Sequence, residues 1–156
     1  MCDHCGCRQV EPIGELMDEH DALTVEADSL RRALAAGDRE TAAALWDGLV
    51  RHLDDHVRKE EVGLFTAMRE KGEFVDEVEA LEQEHIDLDR WFGSLDLEAP
   101  EFHDQLGKAL VELSQHIHRE NFGIFPVSVV SLGARGWDQV ERARRDHPTW
   151  LATGQV

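Results

Sequence analysis

Two short segments of the chain each place a histidine four residues before a glutamate. One pair is His56 and Glu60, and the other is His116 and Glu120. Because side chains four positions apart lie on the same face of an α-helix, each pair would present an imidazole beside a carboxylate. A Gly-aliphatic-Phe sequence follows both glutamates, so the two segments resemble each other beyond the pair itself. Imidazole nitrogens and carboxylate oxygens are ligands of transition metals, and the repeated pair therefore predicts a metal site.

A further histidine precedes each pair, and each of these follows a glutamate. The two histidines are His20, after Glu19, and His85, after Glu84. The internal repeat therefore consists of a pair of helices used twice, in which one helix carries a lone histidine and the next carries His-x-x-x-Glu. The residues that this repeat predicts as metal ligands are His20, His56, Glu60, His85, His116 and Glu120.

Apolar residues recur at steps of three and four along four long segments, which is typical of helices packed against one another. The series run from Ile13 to Leu34, from Ala42 to Ala67, from Phe74 to Leu95 and from Phe102 to Val127. The six predicted ligands fall within these series. At a rise of about 1.5 Å per residue, antiparallel helices would bring them to a similar height. The sequence predicts an all-α fold, an up-down-up-down four-helix bundle with a short C-terminal helix.

Helix-breaking residues divide the chain into a Cys-rich N-terminal tail over residues 1–11, the bundle over residues 12–131 and a C-terminal helical extension over residues 132–156. Pro12 and Gly14 are expected to precede the first helix, because neither favours a helix interior. Pro126 is expected to kink or end the fourth helix. In the extension, a capping-box pattern at Asp138 predicts a helix that runs through Arg145.

Composition excludes several classes of partner and ligand. The 156 residues include 33 acidic and 16 basic side chains, a formal charge of −17. Nucleic acids and anionic membrane surfaces select for basic proteins, so we expect neither as a partner. No apolar run is long enough to span a membrane. The three cysteines all lie within the first seven residues and cannot staple the fold, so we expect a reduced, cytoplasmic protein.

Four imidazoles and two carboxylates in one buried layer would be costly without a counterion. The cost is several kcal/mol for each charged group that stays uncompensated. Two metal ions would remove it, because imidazole nitrogens and bridging carboxylates are natural metal ligands. Iron suits mixed nitrogen and oxygen ligation with open positions, and manganese or zinc could occupy the same cage.

The N-terminal tail carries a second group of potential ligands. Cys2, His4, Cys5 and Cys7 offer soft donors for zinc or copper(I), and the cysteine spacing also fits a redox dithiol. A chain terminus has no outer layer of residues to orient such ligands, so the tail could equally serve as an anchor or as a contact for a protein partner.

Taken as a set, the four histidines, the two glutamates and the Gly-Leu-Phe and Gly-Ile-Phe-Pro segments resemble the hemerythrin-like HHE family of non-haem di-iron four-helix bundles. The resemblance covers roughly residues 12 to 130, and the Cys-rich start resembles actinobacterial members of that family. It implies that Glu60 and Glu120 bridge two iron ions, as Fe²⁺ or Fe³⁺. It also implies that the histidines bind from the sides and that an oxo or hydroxo group completes the bridge.

The chain departs from the oxygen carriers of that family, which use five histidines, two of them on the third helix. Here the third helix offers Leu81 and Leu88 where a second inward histidine would lie. The resemblance then implies two five-coordinate irons, and the remaining ligand could be water, His52 or Glu61. His52 and Glu61 each lie one position off the apolar series, so an outer or solvated role is open for both.

Two classes of function follow from these predictions. In the first, the di-iron centre binds or senses oxygen, nitric oxide or iron. In the second, open positions on both irons allow an enzyme to reduce or disproportionate peroxide. The sequence leaves both open.

Overall fold

The computed structural model describes residues 6–153, and this part of the chain is helical without a single strand. Its helices are α1 (Glu11–Ala35), α2 (Arg39–Glu60), α3 (Thr66–Lys71), α4 (Val75–Ser94), α5 (Phe102–Arg119), α6 (Phe125–Ser131) and α7 (Ala134–Asp146). Short 3₁₀ turns occupy Cys7–Gln9 and Trp150–Thr153. The prediction of an all-α fold is confirmed for this range.

Two π-helical turns, Glu61–Phe65 and Glu120–Ile124, interrupt the second and fourth of the long segments. The first turn joins α2 to α3, and the second joins α5 to α6. A π-turn adds a residue to the helical repeat, so the residues after it move onto a different face. Ile124 is therefore buried, whereas Gly123 is exposed, although Gly123 continues the spacing of three and four residues in the fourth apolar series.

The start of α1 differs from the prediction, because Pro12 and Gly14 lie inside its first turn. Proline is tolerated there, since the first helical N–H groups have no partner within the helix. Gly14 meets a different need. A Cβ atom at this position would lie 2.5 Å from the carbonyl oxygen of Arg8, so only glycine lets the preceding turn pack so closely.

Three other local predictions are corrected by the structure. Phe74 has a positive φ of 59° and is 40% exposed, so it lies outside the apolar series and α4 begins after it. Pro126 does not end the fourth segment, because it lies in the first turn of α6, directly after the π-turn. The C-terminal helix begins at Ala134 rather than at Asp138.

The core consists of two apolar clusters with a polar layer between them. Contacts join α1 to α2, α4 to α5 and α1 to α5. One cluster includes Leu30, Leu49 and Phe92, and the other includes Ile13 and Phe125. Along each long segment the predicted metal ligands fall between residues of the first cluster and residues of the second. The fold therefore places the ligands at one level.

The C-terminal helix α7 packs against the first π-turn. The side chain of Gln139 donates a hydrogen bond to the carbonyl oxygen of Val62 at 2.8 Å. Trp137 packs against the second apolar cluster. A Cβ atom at Gly63 would lie 2.8 Å from the Cβ of Ala143, whereas nothing lies within 4 Å of one at Gly123, the equivalent residue of the other π-turn.

These contacts predict different outcomes for the same substitution at the two glycines. We expect Gly63→Ala to lower the free energy of unfolding by about 1–3 kcal/mol, because the methyl group would overpack against α7. Gly123→Ala is the matched control and should be neutral or stabilising by up to about 1 kcal/mol. Urea denaturation of both variants measures the difference, and equal stabilities would contradict the close packing of α7.

The cysteines are described only in part. Cys7 is buried and disulfide-bonded, which differs from the expectation of reduced thiols. The predicted tail ligands Cys2, His4 and Cys5 lie outside the described residues. Among the helices of the described range, none is both long and apolar enough to span a membrane.

Candidate metal centre

The six side chains predicted as ligands lie together in the polar layer, and none of them is more than 4% exposed. They form two overlapping groups in which the potential ligand atoms lie within 4.8 Å of one another. His20, His56, Glu60 and Glu120 make up one group, and His85, His116 and Glu120 make up the other. We refer to the His20 and His56 side as the first position and to the His85 and His116 side as the second position.

The two glutamates lie between these positions. Glu120 places Oε2 3.1 Å from Nε2 of His20 and Oε1 3.0 Å from Nε2 of His116. Glu60 places Oε1 3.3 Å from Nε2 of His56 and Oε2 3.6 Å from Nε2 of His85. Each carboxylate therefore directs one oxygen to each position, an arrangement suited to bridging two cations.

All four imidazoles direct Nε2 inward and Nδ1 toward an oxygen acceptor outside the layer. The pairs are His20 with Asn121 at 3.0 Å, His56 with Glu19 at 2.8 Å, His85 with Glu61 at 3.0 Å and His116 with Glu84 at 2.7 Å. Because a carboxylate or amide oxygen can only accept here, Nδ1 carries the proton. The Nε2 lone pairs are thereby left for the layer, as in histidines that bind metals.

Several inward atoms lack the partners that burial requires. Both carboxylate oxygens of Glu60 and Glu120, and Nε2 of His85 and His116, are buried without a hydrogen-bond partner in the described structure. At the first position, Nε2 of His20 and Nε2 of His56 lie only 2.8 Å apart. Two lone pairs at this distance repel each other unless a cation or a proton lies between them. The donor set therefore fits metal ions, which would satisfy these atoms together.

In the metal-free protein, imidazoles of the polar layer carry protons that a metal ion must displace. Burial lowers the pKa of His56, but the charge of Glu60 and the hydrogen bond to Glu19 outweigh it and raise the pKa to about 10. Burial acts in the same way on His85, where its contacts with the carboxylates of Glu120 and Glu61 raise the pKa to about 10. Burial raises the pKa of Glu120, yet the charge of His116 holds it well below its usual value. Metal binding must therefore release imidazole protons.

A chain of charged side chains links the first position to the C-terminal helix. Lys59 is buried and donates to Glu19 and, at 2.9 Å, to Glu15. Arg144 of α7 donates to the other oxygen of Glu15, also at 2.9 Å. These contacts compensate the buried charges of Glu19 and Lys59. At the second position, Arg119 forms the equivalent ion pair with Glu84 at 2.8 Å but is exposed to solvent.

Helix periodicity alone does not indicate these outer residues, although the internal repeat contains a signal for them. Glu19 and Glu84 occupy the same place in the two halves, directly before a predicted ligand, and Lys59 and Arg119 directly precede the bridging glutamates. In both Glu-His pairs, the glutamate contacts a histidine of the following long segment rather than its neighbour in the sequence.

The two additional ligand candidates lie outside both groups of potential ligand atoms. His52 is buried, directs Nδ1 to Glu26 at 2.8 Å and stacks on the ring of Trp150. Glu61 contacts Nδ1 of His85 rather than an inward atom. The structure therefore places both residues in outer roles. Among the described residues, the other histidines lie outside the layer, since His103 and His118 are exposed and His147 is half-buried.

A groove of about 680 Å³ between α2 and α4 reaches the layer from one side. Trp46, Ile86 and Phe92 contribute to its walls, and His85 and Glu61 lie within the same lining. The groove opens the outer side of the second position, at Glu61 and His85, toward solvent.

The family comparison agrees with this geometry. A family model described as the hemerythrin HHE cation binding domain matches residues 11–128. The searches of curated proteins and of solved structures each gave no match. The matched range contains all six residues of the polar layer and ends before α7. The chain belongs to the hemerythrin HHE cation-binding family.

Proposed function

We propose that this protein binds a dinuclear non-haem iron centre within an up-down-up-down four-helix bundle. The ligands are His20, His56, Glu60, His85, His116 and Glu120. The observation that carries the proposal is the division of each bridging carboxylate between the two histidine pairs, with oxygens of Glu120 at 3.1 Å from His20 and 3.0 Å from His116. A single-ion site would not need a carboxylate shared in this way.

Iron is the metal that best suits the proposed site, with manganese or zinc as substitutes. The donor set is mixed nitrogen and oxygen, without a sulfur ligand among the described residues. When bound, two irons bridged by the carboxylates and by an oxo or hydroxo group would supply redox change between Fe²⁺ and Fe³⁺ and open coordination positions.

The protein's own side chains prepare the site in three ways. The Nδ1 hydrogen bonds fix the ring orientation and the tautomer of each histidine. Phe125 stacks on the ring of His20 and Phe65 on that of His85, both with ring centroids 5.5 Å apart, and these rings keep water from the end of the layer. Buried Lys59 holds Glu19 in place as the acceptor for His56.

We infer that the physiological role is the binding or sensing of oxygen, nitric oxide or iron. Membership of a cation-binding family supports the iron part of this proposal. The groove next to His85 and Glu61 supports access by a small molecule. A sensor would also require a protein partner, and the Cys-rich start of the chain is a candidate contact for one.

A peroxide-consuming activity is the second candidate, and one observation favours it. His52 is held by Glu26 and Trp150, and Glu61 is directed to the outer nitrogen of His85. Neither residue therefore adds a further protein ligand to one of the two positions. Both metal positions then keep room for a small oxidant. Such a protein would convert two molecules of hydrogen peroxide into two of water and one of oxygen.

The reaction with oxygen and peroxide distinguishes a peroxide-consuming protein from a reversible oxygen carrier. We expect air to oxidise the reduced, iron-loaded protein to the diferric state in a way that evacuation does not reverse, because both positions are open. We also expect at least slow, sustained loss of hydrogen peroxide with release of oxygen, measured with an oxygen electrode. The metal-free protein serves as the control. Recovery of the reduced spectrum under vacuum, without peroxide turnover, would instead identify a reversible carrier.

A further inference from the structure

The surroundings of the two metal positions are related by the internal repeat. Glu19 accepts from His56 and is paired with Lys59, while Glu84 accepts from His116 and is paired with Arg119. The aromatic contacts also match, because each position has one imidazole stacked on a phenylalanine at the same centroid distance of 5.5 Å. The bridging carboxylates serve both positions. These paired features differ mainly in burial, because Lys59 and Glu19 are buried whereas Arg119 is exposed.

The repeat is broken at the residue that follows each bridging glutamate. At the second position this residue is Glu61, whose Oε1 lies 3.0 Å from Nδ1 of His85. At the first position it is Asn121, whose Oδ1 lies 3.0 Å from Nδ1 of His20. The two acceptors have the same distance and the same role, but one is a carboxylate and the other is a neutral amide.

This difference changes the charge around the two positions. Next to the first position, Lys59 pairs with the carboxylates of Glu19 and Glu15, and Arg144 pairs with the other oxygen of Glu15, so two cations offset two carboxylates. Next to the second position, Glu61 and Glu84 supply two carboxylates and Arg119 supplies one cation. Among the described residues, no lysine or arginine forms an ion pair with Glu61. The second position therefore has one more negative charge in its outer layer than the first.

A carboxylate acceptor on Nδ1 makes an imidazole a stronger donor at Nε2 than an amide acceptor does. A stronger donor and an added negative charge stabilise Fe³⁺ relative to Fe²⁺. Both effects act on the second position, and the bridging ligands do not offset them because they are shared.

We propose that Glu61 and Asn121 are positioning residues that make the two irons unequal, so that the half-reduced protein holds Fe³⁺ at the second position and Fe²⁺ at the first. The proposal rests on the dinuclear iron site proposed above. A one-electron chemical reductant supplies the single electron, which converts Fe³⁺ to Fe²⁺ at the His20 and His56 side without transfer of any other atom.

Three variants of nearly unchanged size test this inference. Glu61→Gln gives both positions an amide at this site, and Asn121→Asp gives both a carboxylate. The double variant exchanges the two groups. The diferric and diferrous proteins together form the half-reduced protein, and each single variant should lower the equilibrium constant of this reaction by at least about tenfold. This corresponds to a decrease of about 59 mV in the difference between the two one-electron reduction potentials. The double variant should restore the equilibrium constant of the unmodified protein. Glu40→Gln, at the exposed start of α2, is the control and should leave it unchanged.

The measurement is a spectroelectrochemical titration of the iron-loaded protein, with the half-reduced form followed by its electron paramagnetic resonance signal. Crystals loaded with Zn²⁺ and Ga³⁺, redox-inert substitutes for Fe²⁺ and Fe³⁺, then locate the charges by anomalous diffraction. We expect Ga³⁺ beside His85 and His116, and beside His20 and His56 in the double variant. Two irons per chain with unchanged constants in all three variants, or an even metal distribution, would overturn the inference. Failure to bind two irons would refute the dinuclear site instead.

Discussion

Alanine at either Glu60 or Glu120 is expected to deprive the protein of tightly bound iron. Each carboxylate directs one oxygen to each metal position, so its loss removes a ligand from both positions at once. The loss of affinity should exceed the roughly 10–100-fold that is typical when only an outer partner of a metal ligand is removed. Metal analysis after gel filtration should find two irons per chain in the unmodified protein and fewer than one in either variant.

Two controls distinguish loss of ligation from loss of fold. His103→Ala removes an exposed histidine outside the layer and should leave the iron content unchanged. Glu60→Gln and Glu120→Gln keep the side-chain size and should also lose metal, while circular dichroism shows that they remain helical. The apolar clusters on both sides of the layer support this expectation, since neither cluster includes the glutamates. Full iron content in the glutamine variants would rule out bridging carboxylates.

The sequence was sufficient to find the inward-facing residues because their spacing follows a local rule. Four positions separate His56 from Glu60 and His116 from Glu120, and the helical repeat alone puts each pair on one face. Apolar residues at the same period then indicated which face was buried. The structure brings these side chains together, while their binding of iron stays a prediction.

Helical spacing could not predict the hydrogen bonds between the histidines and the residues outside the layer. Glu19 and His56 are 37 residues apart, and Glu84 and His116 are 32 apart, so their contacts depend on how one helix packs against another. The sequence shows a glutamate before a histidine in both halves, but it does not show which distant histidine each glutamate contacts. The same reason explains why His52 could not be assigned, because its ring is held by Trp150 from the far end of the chain.

The π-turns were missed because helix periodicity assumes a constant register. Each turn begins at or directly after a bridging glutamate, and the extra residue changes which side chains face inward. Contacts from other elements accompany the first turn, where Gln139 of α7 donates to the carbonyl of Val62. A local pattern carries no information about such a contact.

The increase in melting temperature on metal binding should be large and should grow with pH. At a free metal concentration about 1,000 times the dissociation constant, binding adds about 4 kcal/mol to stability, which is on the order of 10 °C for a domain of this size. In the metal-free protein, His56 and His85 have a pKa of about 10 against 6.5 for an unperturbed histidine. Their charged form therefore stabilises the metal-free fold fully below about pH 6.5, and this contribution is lost as pH rises toward about 10.

The affinity for metal changes with pH in the opposite direction to the stability of the metal-free protein. The ion must displace the same imidazole protons, so it binds more tightly as pH rises. The melting temperature of the metal-free protein should fall between about pH 6.5 and pH 9, while the increase caused by anaerobic Fe²⁺ becomes larger over that range. Differential scanning calorimetry of both forms at several pH values measures the two trends. An increase that is absent, or that shrinks with rising pH, would mean that the imidazoles of the layer do not exchange protons for metal.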